Sequence, residues 1–220
     1  MKDGTDITLC GLALDDVAVT LGGRTLVEIS AQVMPGQVLT VMGPSGSGKS
    51  SLLSYLAGTL APAFSARGTA RLNGRPLDGL PPEQRRVGLL FQDDLLFPHL
   101  SVGGNLAFAL PAHVKGKAVR RAACEAALTA AGLEGFVDRD PATLSGGQRA
   151  RVALLRVLLS EPEALLLDEP FSKLDAQLRA SFRAFVFDEI RRRGLPALLV
   201  THDPADAEAA SGRVIELTAL

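Results

Sequence analysis

The sequence predicts an α/β fold: a mostly parallel sheet with helices on both faces, an antiparallel N-terminal β edge and a mostly helical insert from Leu95 to Ser160. Three observations carry this. Short apolar runs such as A-L-L-L-D-E at Ala164 to Glu169 alternate with stretches of helical spacing, the pattern of parallel strands joined by crossover helices. Residues 7–42 read instead as β-type runs separated by turns, with no helix between them. From Leu95 to Ser160 only helical periods are found.

In order along the chain, I-T-L-C-G-L and V-A-V-T-L lead to the turn Gly22-Gly23, and L-V-E-I-S-A-Q-V leads to Pro35-Gly36 and the buried strand V-L-T-V-M. A helix follows Ser50 and ends at Gly58, where glycine tolerates the left-handed conformation of a helix terminus. G-T-A-R-L-N-G is a strand and turn, and V-G-L-L-F-Q a second buried strand. Three insert helices run from Ser101 to Pro111, from Lys117 to Gly132 and from Gly147 to Leu159. In the middle one Val119, Ala122, Ala126, Ala130 and Leu133 form the expected core stripe, leaving Arg120, Arg121 and Glu125 to solvent. The remainder reads as the strand ending in Asp168-Glu169, a helix from about Asp175 to Arg193, the strand L-P-A-L-L-V-T, a short helix near Ala205 and V-I-E-L. Arg191, Arg192 and Arg193 close the long helix as a solvated end suited to its dipole.

At 220 residues the expectation is one domain, with 1–94 and 161–220 as its core and 95–160 as a helical subdomain. A net charge of -1 argues against a polyanion as main partner, so no nucleic acid is expected. Cys10 and Cys124 lack metal-ligand spacing and read as reduced, core or near-core residues, which suits a cytosolic setting. The acidic N-terminus does not read as a targeting segment, and charges interrupt every apolar run well short of the ~20 residues of a spanning helix.

Two motifs carry chemistry. G-P-S-G-S-G-K-S, comprising Gly43, Pro44, Ser45, Gly46, Ser47, Gly48, Lys49 and Ser50, follows a strand and opens a helix, as the phosphate-cradling P-loop requires. Its glycines let backbone N–H groups turn inward, Lys49 reaches the β and γ phosphates, and Ser50 is a ligand for Mg²⁺; Ser51 extends the helix mouth. In A-L-L-L-D-E-P a buried strand delivers Asp168 toward the Mg²⁺ shell and Glu169 toward a water.

Four further stretches give these motifs a context: L-S-G-G-Q at Leu144 to Gln148, Gln92 in L-L-F-Q-D-D, S-K-L-D at Ser172 to Asp175, and His202 in V-T-H-D. Together, from about Leu12 to Leu217, the chain resembles the ABC (ATP-binding cassette) ATPases, with a P-loop NTPase core. The resemblance implies ATP and Mg²⁺ as cofactors and an ATP-dependent homodimer. In it, Ser145, Gly146, Gly147 and Gln148 serve the ATP held by the other copy's P-loop. It implies Glu169 as general base, His202 on the γ-phosphate, Gln92 as Mg²⁺ sensor and ligand, and Asp175 at the facing subunit.

Many relatives stack adenine on an aromatic residue where this chain has Leu21, so base recognition here is expected to rest on a weaker aliphatic contact. Lys173 stands where alanine is common. L-L-F-P-H-L-S-V-G-G-N-L is importer-like, implying two transmembrane permease subunits, a periplasmic or extracellular substrate-binding protein, and a place on the cytoplasmic face of the inner membrane. His99 and His113, in or beside that contact, read as surface residues. Alternatives with the same engine are an exporter or lipoprotein-release subunit and a soluble non-transport ATPase.

Overall fold

The structure, a computed structural model, describes residues 10–217. Expectations for Ile7 to Leu9 lie outside them.

Two sheets form. A four-stranded antiparallel sheet has the order β2-β1-β4-β5, where β1 is Leu12–Leu21, β2 is Arg24–Val33, β4 is Phe64–Leu72 and β5 is Arg75–Pro76. A five-stranded sheet has the order β6-β7-β8-β3-β9, where β3 is Val38–Met42, β6 is Val87–Leu90, β7 is Ala164–Asp168, β8 is Ala197–Thr201 and β9 is Arg213–Glu216. All of its neighbours are parallel. The N-terminal β region is thus antiparallel as expected, but it forms its own sheet because β4 returns to pair with β1.

Helices α1 (Lys49–Ala57), α2 (Pro82–Arg85), α3 (Val102–Ala109), α4 (Lys117–Ala130), α5 (Gly146–Leu159), α6 (Ala176–Arg193) and α7 (Pro204–Ala210) complete the fold. Strand periodicity divides the core. Leu166 of β7 faces α1 and the antiparallel sheet, alongside Leu52, Leu56, Leu198 and Val200. Its neighbours Leu165 and Leu167 face α5 and α6, among Leu154, Phe182, Val186 and Ile190. Burying each leucine stabilises the fold by about 1.5–3 kcal/mol. Helix α5 has two apolar faces: Leu154 and Leu158 pack on the sheet, while Val152 and Leu155 pack with Val102, Leu106 and Leu128 inside the insert.

Five expectations need correction. In α4 the buried residues are Cys124 and Leu128, whereas Val119, Ala122, Ala126 and Ala130 are exposed. The alanines gave the stripe no direction, and the larger apolar side chains turn inward instead. Arg120 is half-buried, donating to Val114 O and Ala107 O, so only Arg121 and Glu125 lie on the solvated face. Cys10 is exposed; Cys124 is buried. At the end of α6, Arg192 and Arg193 pair with Glu189, and Arg193 also reaches Leu158 O. The strand V-G-L-L-F-Q stops at Leu90, leaving Phe91 and Gln92 in the following loop. No helix among the described residues is long and apolar enough to cross a membrane.

Candidate functional site

Parallel strands end at one edge of a sheet, and that edge collects the chemistry. Met42 pairs with Thr201, Asp168 with Val200 and Leu90 with Leu167. The residues that follow these strand ends are the loop from Gly43, His202, Glu169 and Gln92, which come from four separate parts of the sequence.

The loop Gly43 to Gly48 has Gly46 and Gly48 at φ 83° each, a region that L side chains avoid. A Cβ on Gly48 would also lie 2.8 Å from Leu26 Cβ. Helix α1 has no side-chain cap and no acidic residue in its first turn, so its leading N–H groups and dipole face the loop. By contrast α3, α5, α6 and α7 are capped by Ser101, Ser145, Asp175 and Asp203. Lys49 is 7% exposed, and its ammonium donates to Gly43 O (2.7 Å) and Pro44 O (2.8 Å). Ser47 Oγ is buried with no hydrogen-bond partner among the described residues. A hydroxyl, a lysine and uncapped amides around one loop fit an anion, and a phosphate satisfies them all. Beside the loop lies a hollow of about 250 Å³, lined by Arg24, Thr25, Leu26, Pro44, Ser45, Gly46 and Ser47. Leu21 is outside that lining, 42% exposed, and pairs across the hairpin with Arg24. Ser51 is half-buried in the first turn of α1.

Ser50 Oγ donates to Asp168 Oδ1 at 3.2 Å. A hydroxyl and a carboxylate in contact fit a hard cation such as Mg²⁺, which takes few protein ligands and keeps waters and phosphate oxygens for the rest. No cluster of three or more His, Cys, Asp or Glu side chains that could hold a metal occurs among the described residues. Burial pushes the Asp168 carboxyl above its ordinary value of 3.8; the Ser50 hydrogen bond opposes this, Glu169 adds to it and Lys49 opposes it. The folded chain therefore holds that proton more tightly than the unfolded chain. Stability declines as pH rises from the ordinary carboxylate range through the raised folded value, and it stays reduced at neutrality. Asp168→Asn is expected to melt at a higher temperature than wild type at neutral pH, with the gap closing in acid. Thermal unfolding of both proteins across that range checks it; an unchanged or lower neutral melting temperature contradicts the assignment.

Glu169 has φ 45°, an uncommon backbone conformation for glutamate costing on the order of 1 kcal/mol. It is held there by its own N–H on Val200 O (2.9 Å) and by Ser172 Oγ donating to Glu169 O (2.8 Å). The turn aims the side chain at His202, whose Nδ1 lies 3.1 Å from Glu169 Oε2. Gln92 is exposed at the same sheet edge.

The motif L-S-G-G-Q forms the mouth of a different helix. Ser145 caps α5: its Oγ accepts from Gln148 N (3.3 Å), while Gln148 Oε1 accepts from Ser145 N (2.9 Å). Gly147 leaves room for Leu178, whose Cδ2 would be 3.1 Å from an added Cβ, and Gly146 faces Leu174 at 3.8 Å. A hollow of about 230 Å³ opens here, lined among others by Ser145, Gly147, Gln148 and Arg151, and it shares no residue with the hollow at the P-loop. Asp175 accepts from Leu178 N as the cap of α6. The structure thus joins the P-loop helix to Asp168 through Ser50 and Glu169 to His202 at one sheet edge, while Ser145, Gly147 and Gln148 line a separate hollow.

Sequence reading missed the side chains that hold the connecting loops. Arg179 pairs with Asp203 beside His202 (2.8 Å) and donates to Ser172 O and Leu174 O. The buried Asn105 amide donates to Phe97 O, Leu100 O and Ser101 O and accepts from Phe97 N. Arg156 donates to Leu95 O and Asp94 O. A charged residue at a helix position otherwise facing the core was the available signal for Arg156 and Arg179. His99 lies against the Phe97 ring, and His113 Nε2 is 3.6 Å from Glu161.

A family model described as "ABC transporter" matches residues 26–172. The uncharacterized ABC transporter ATP-binding protein YnjD of Escherichia coli (strain K12) is 55% identical over 188 residues, 86% of this chain and 86% of that protein. The sn-glycerol-3-phosphate import ATP-binding protein UgpC of Paracoccus denitrificans (strain Pd 1222) is 40% identical over 205 residues. That match covers 93% of this chain but only 57% of UgpC, so the chain spans little more than half of that relative. Among solved structures, the dimeric post-hydrolysis state of the ATP-binding cassette MJ0796 bound to ADP and Pi matches with a TM-score of 0.78 and 27% identity, over 94% of this chain and 96% of that one.

Proposed function

The chain belongs to the ABC transporter family of ATP-binding proteins and is an ATPase, and on that premise we propose that it powers solute uptake in a bacterium. In this reading two copies close head to tail on ATP beneath two transmembrane permease subunits, and a periplasmic or extracellular binding protein delivers the solute. Its working place is then the cytoplasmic face of the inner membrane.

One observation carries the dimer: L-S-G-G-Q opens helix α5 on a hollow that shares no lining residue with the hollow at the phosphate loop. The uncapped mouth of α1, with Gly43 to Ser51, holds the chain's own nucleotide. The mouth at Ser145, Gly146, Gly147 and Gln148 serves the γ-phosphate of the other copy's ATP. Ser145 Oγ accepts one hydrogen bond in its cap and keeps its proton to donate to phosphate.

Within one site, Lys49 exchanges its two carbonyl partners for phosphate oxygens. Ser50 and Asp168, with Gln92 at the same edge, would hold Mg²⁺, which when bound neutralises charge on the phosphates. Glu169 takes a proton from the attacking water, and His202, beside it, orients the water and the γ-phosphate. Asp175, at the start of α6, faces the other copy. Leu21 offers the base an aliphatic surface only.

Import is favoured by the name of UgpC, an import ATP-binding protein, and docking on a membrane subunit by an exposed aromatic on the insert. Phe108 is 71% exposed at the end of α3, and its ring lies 5.0 Å from that of Phe97. An aromatic this exposed on a folded insert suits docking against an apolar partner. The test is detergent extraction of a tagged chain from cells expressing the neighbouring membrane proteins. Two hydrophobic subunits should co-purify, and Phe108→Asp should reduce their recovery about tenfold, the cost of losing one interface anchor. Recovery of the chain without membrane subunits, or equal recovery by the variant, would count against the reading.

A further inference from the structure

The loop after β6 carries two adjacent carboxylates that are held from opposite sides. Asp94 Oδ2 accepts from Arg149 Nε of α5 at 3.0 Å, and the same guanidinium donates to Leu144 O, at the head of L-S-G-G-Q. Arg156, about two turns further along α5, donates to the carbonyls of Asp94 and Leu95. Asp93, next to Gln92, turns the other way and forms an ion pair with Lys173. Lys173 lies in the turn that begins at Glu169 and is fixed by the Ser172 Oγ to Glu169 O hydrogen bond and by Arg179. The loop is therefore tied to the insert by two arginines. Among the described residues Lys173 is its one ion-pair partner in the Glu169 turn.

We propose that Lys173 and Asp93 form the charge link that makes the position of Gln92 follow the turn between Glu169 and Asp175. Both side chains are more than half exposed, at 53% and 64%, so the pair adds little to folding stability. What it supplies is registry. With Asp94 held by α5 and Asp93 by the Glu169 turn, a shift of the insert relative to the core must move Gln92 or break the pair. Lys173 is a positioning residue: it acts through Asp93 on Gln92 and touches no reacting atom. The inference rests on the roles proposed above for Gln92, Glu169 and Asp175.

A charge-reversal cycle tests it: Lys173→Glu, Asp93→Lys and the double exchange, each measured for turnover, ATP affinity and melting temperature in the dimer-forming full chain. Each single variant is expected to lower kcat about 5- to 20-fold, the range of coupling between directly paired residues, with ATP affinity within about twofold of wild type. The double exchange should recover most of that loss. Melting temperatures should stay within about 3 °C, as exposed pairs contribute little. Single variants with wild-type kcat would overturn the link, and so would a double exchange as slow as the singles at unchanged melting temperature. Failure of the underlying reading looks different: Gln92→Ala would then turn over as fast as wild type, whatever the cycle shows.

Discussion

Glu169→Gln is expected to lower ATP turnover by at least about a hundredfold, the contribution of a positioned general base, while the variant still binds ATP and accumulates as an ATP-bound dimer. The change is isosteric and leaves the backbone determinants intact: the bond from Glu169 N to Val200 O and the hold of Ser172 on Glu169 O. Only the capacity to take a proton beside His202 is removed. Phosphate release and light scattering in ATP, with both proteins at equal concentration, provide the check. A variant as active as wild type would mean that the water is activated elsewhere. Loss of turnover without dimer accumulation would separate hydrolysis from closure.

Ser145→Arg is the second large effect. It is expected to abolish turnover while changing ATP affinity of the isolated chain less than about threefold, since the residue belongs to the mouth facing the other copy's nucleotide. The arginine loses the capping acceptor for Gln148 N and sets a bulky cation at the positive end of α5. Loss of a cap costs about 1 kcal/mol, so melting should fall by about 2–4 °C, too little to explain lost activity through unfolding. Mixed dimers give the sharper measurement. One Ser145→Arg copy with one Glu169→Gln copy leaves one of the two composite sites intact and disables the other twice over. Residual hydrolysis in that mixture is expected, and its absence would argue that both sites must fire together.

Much of this was legible in the sequence because the motifs combine composition with position. Gly43 to Ser50 and Asp168-Glu169 each end a buried strand, and a parallel sheet sends such ends to one edge. The α4 stripe was not legible, because Ala122, Ala126 and Ala130 pack nearly as well outside as inside, so the choice fell to Cys124 and Leu128. Cys10 misled for a related reason: a small apolar residue in a β-type run did not have to be interior. Short elements such as β5 and α2 carry too few residues to show a period. Partners far apart in sequence were also hidden. Lys173 had no reason in its own neighbourhood, and its reason, Asp93, lies 80 residues earlier. Asn105 likewise satisfies four backbone groups of the segment from Phe97 to Ser101, partners that its own neighbourhood in the sequence does not announce.

The lysine of the phosphate loop is never left wanting. Its ammonium already has Gly43 O and Pro44 O as acceptors, so nucleotide entry is an exchange of hydrogen bonds and not a simple gain. Calorimetry of ATP binding would register the difference between two satisfied arrangements, a modest heat for a charged contact. Removal of the lysine would free two carbonyls as well as deleting a cation. An apolar side chain long enough to fill the space, such as methionine, would leave those carbonyls unanswered, so the heat of binding to such a variant measures the loop as much as the missing charge.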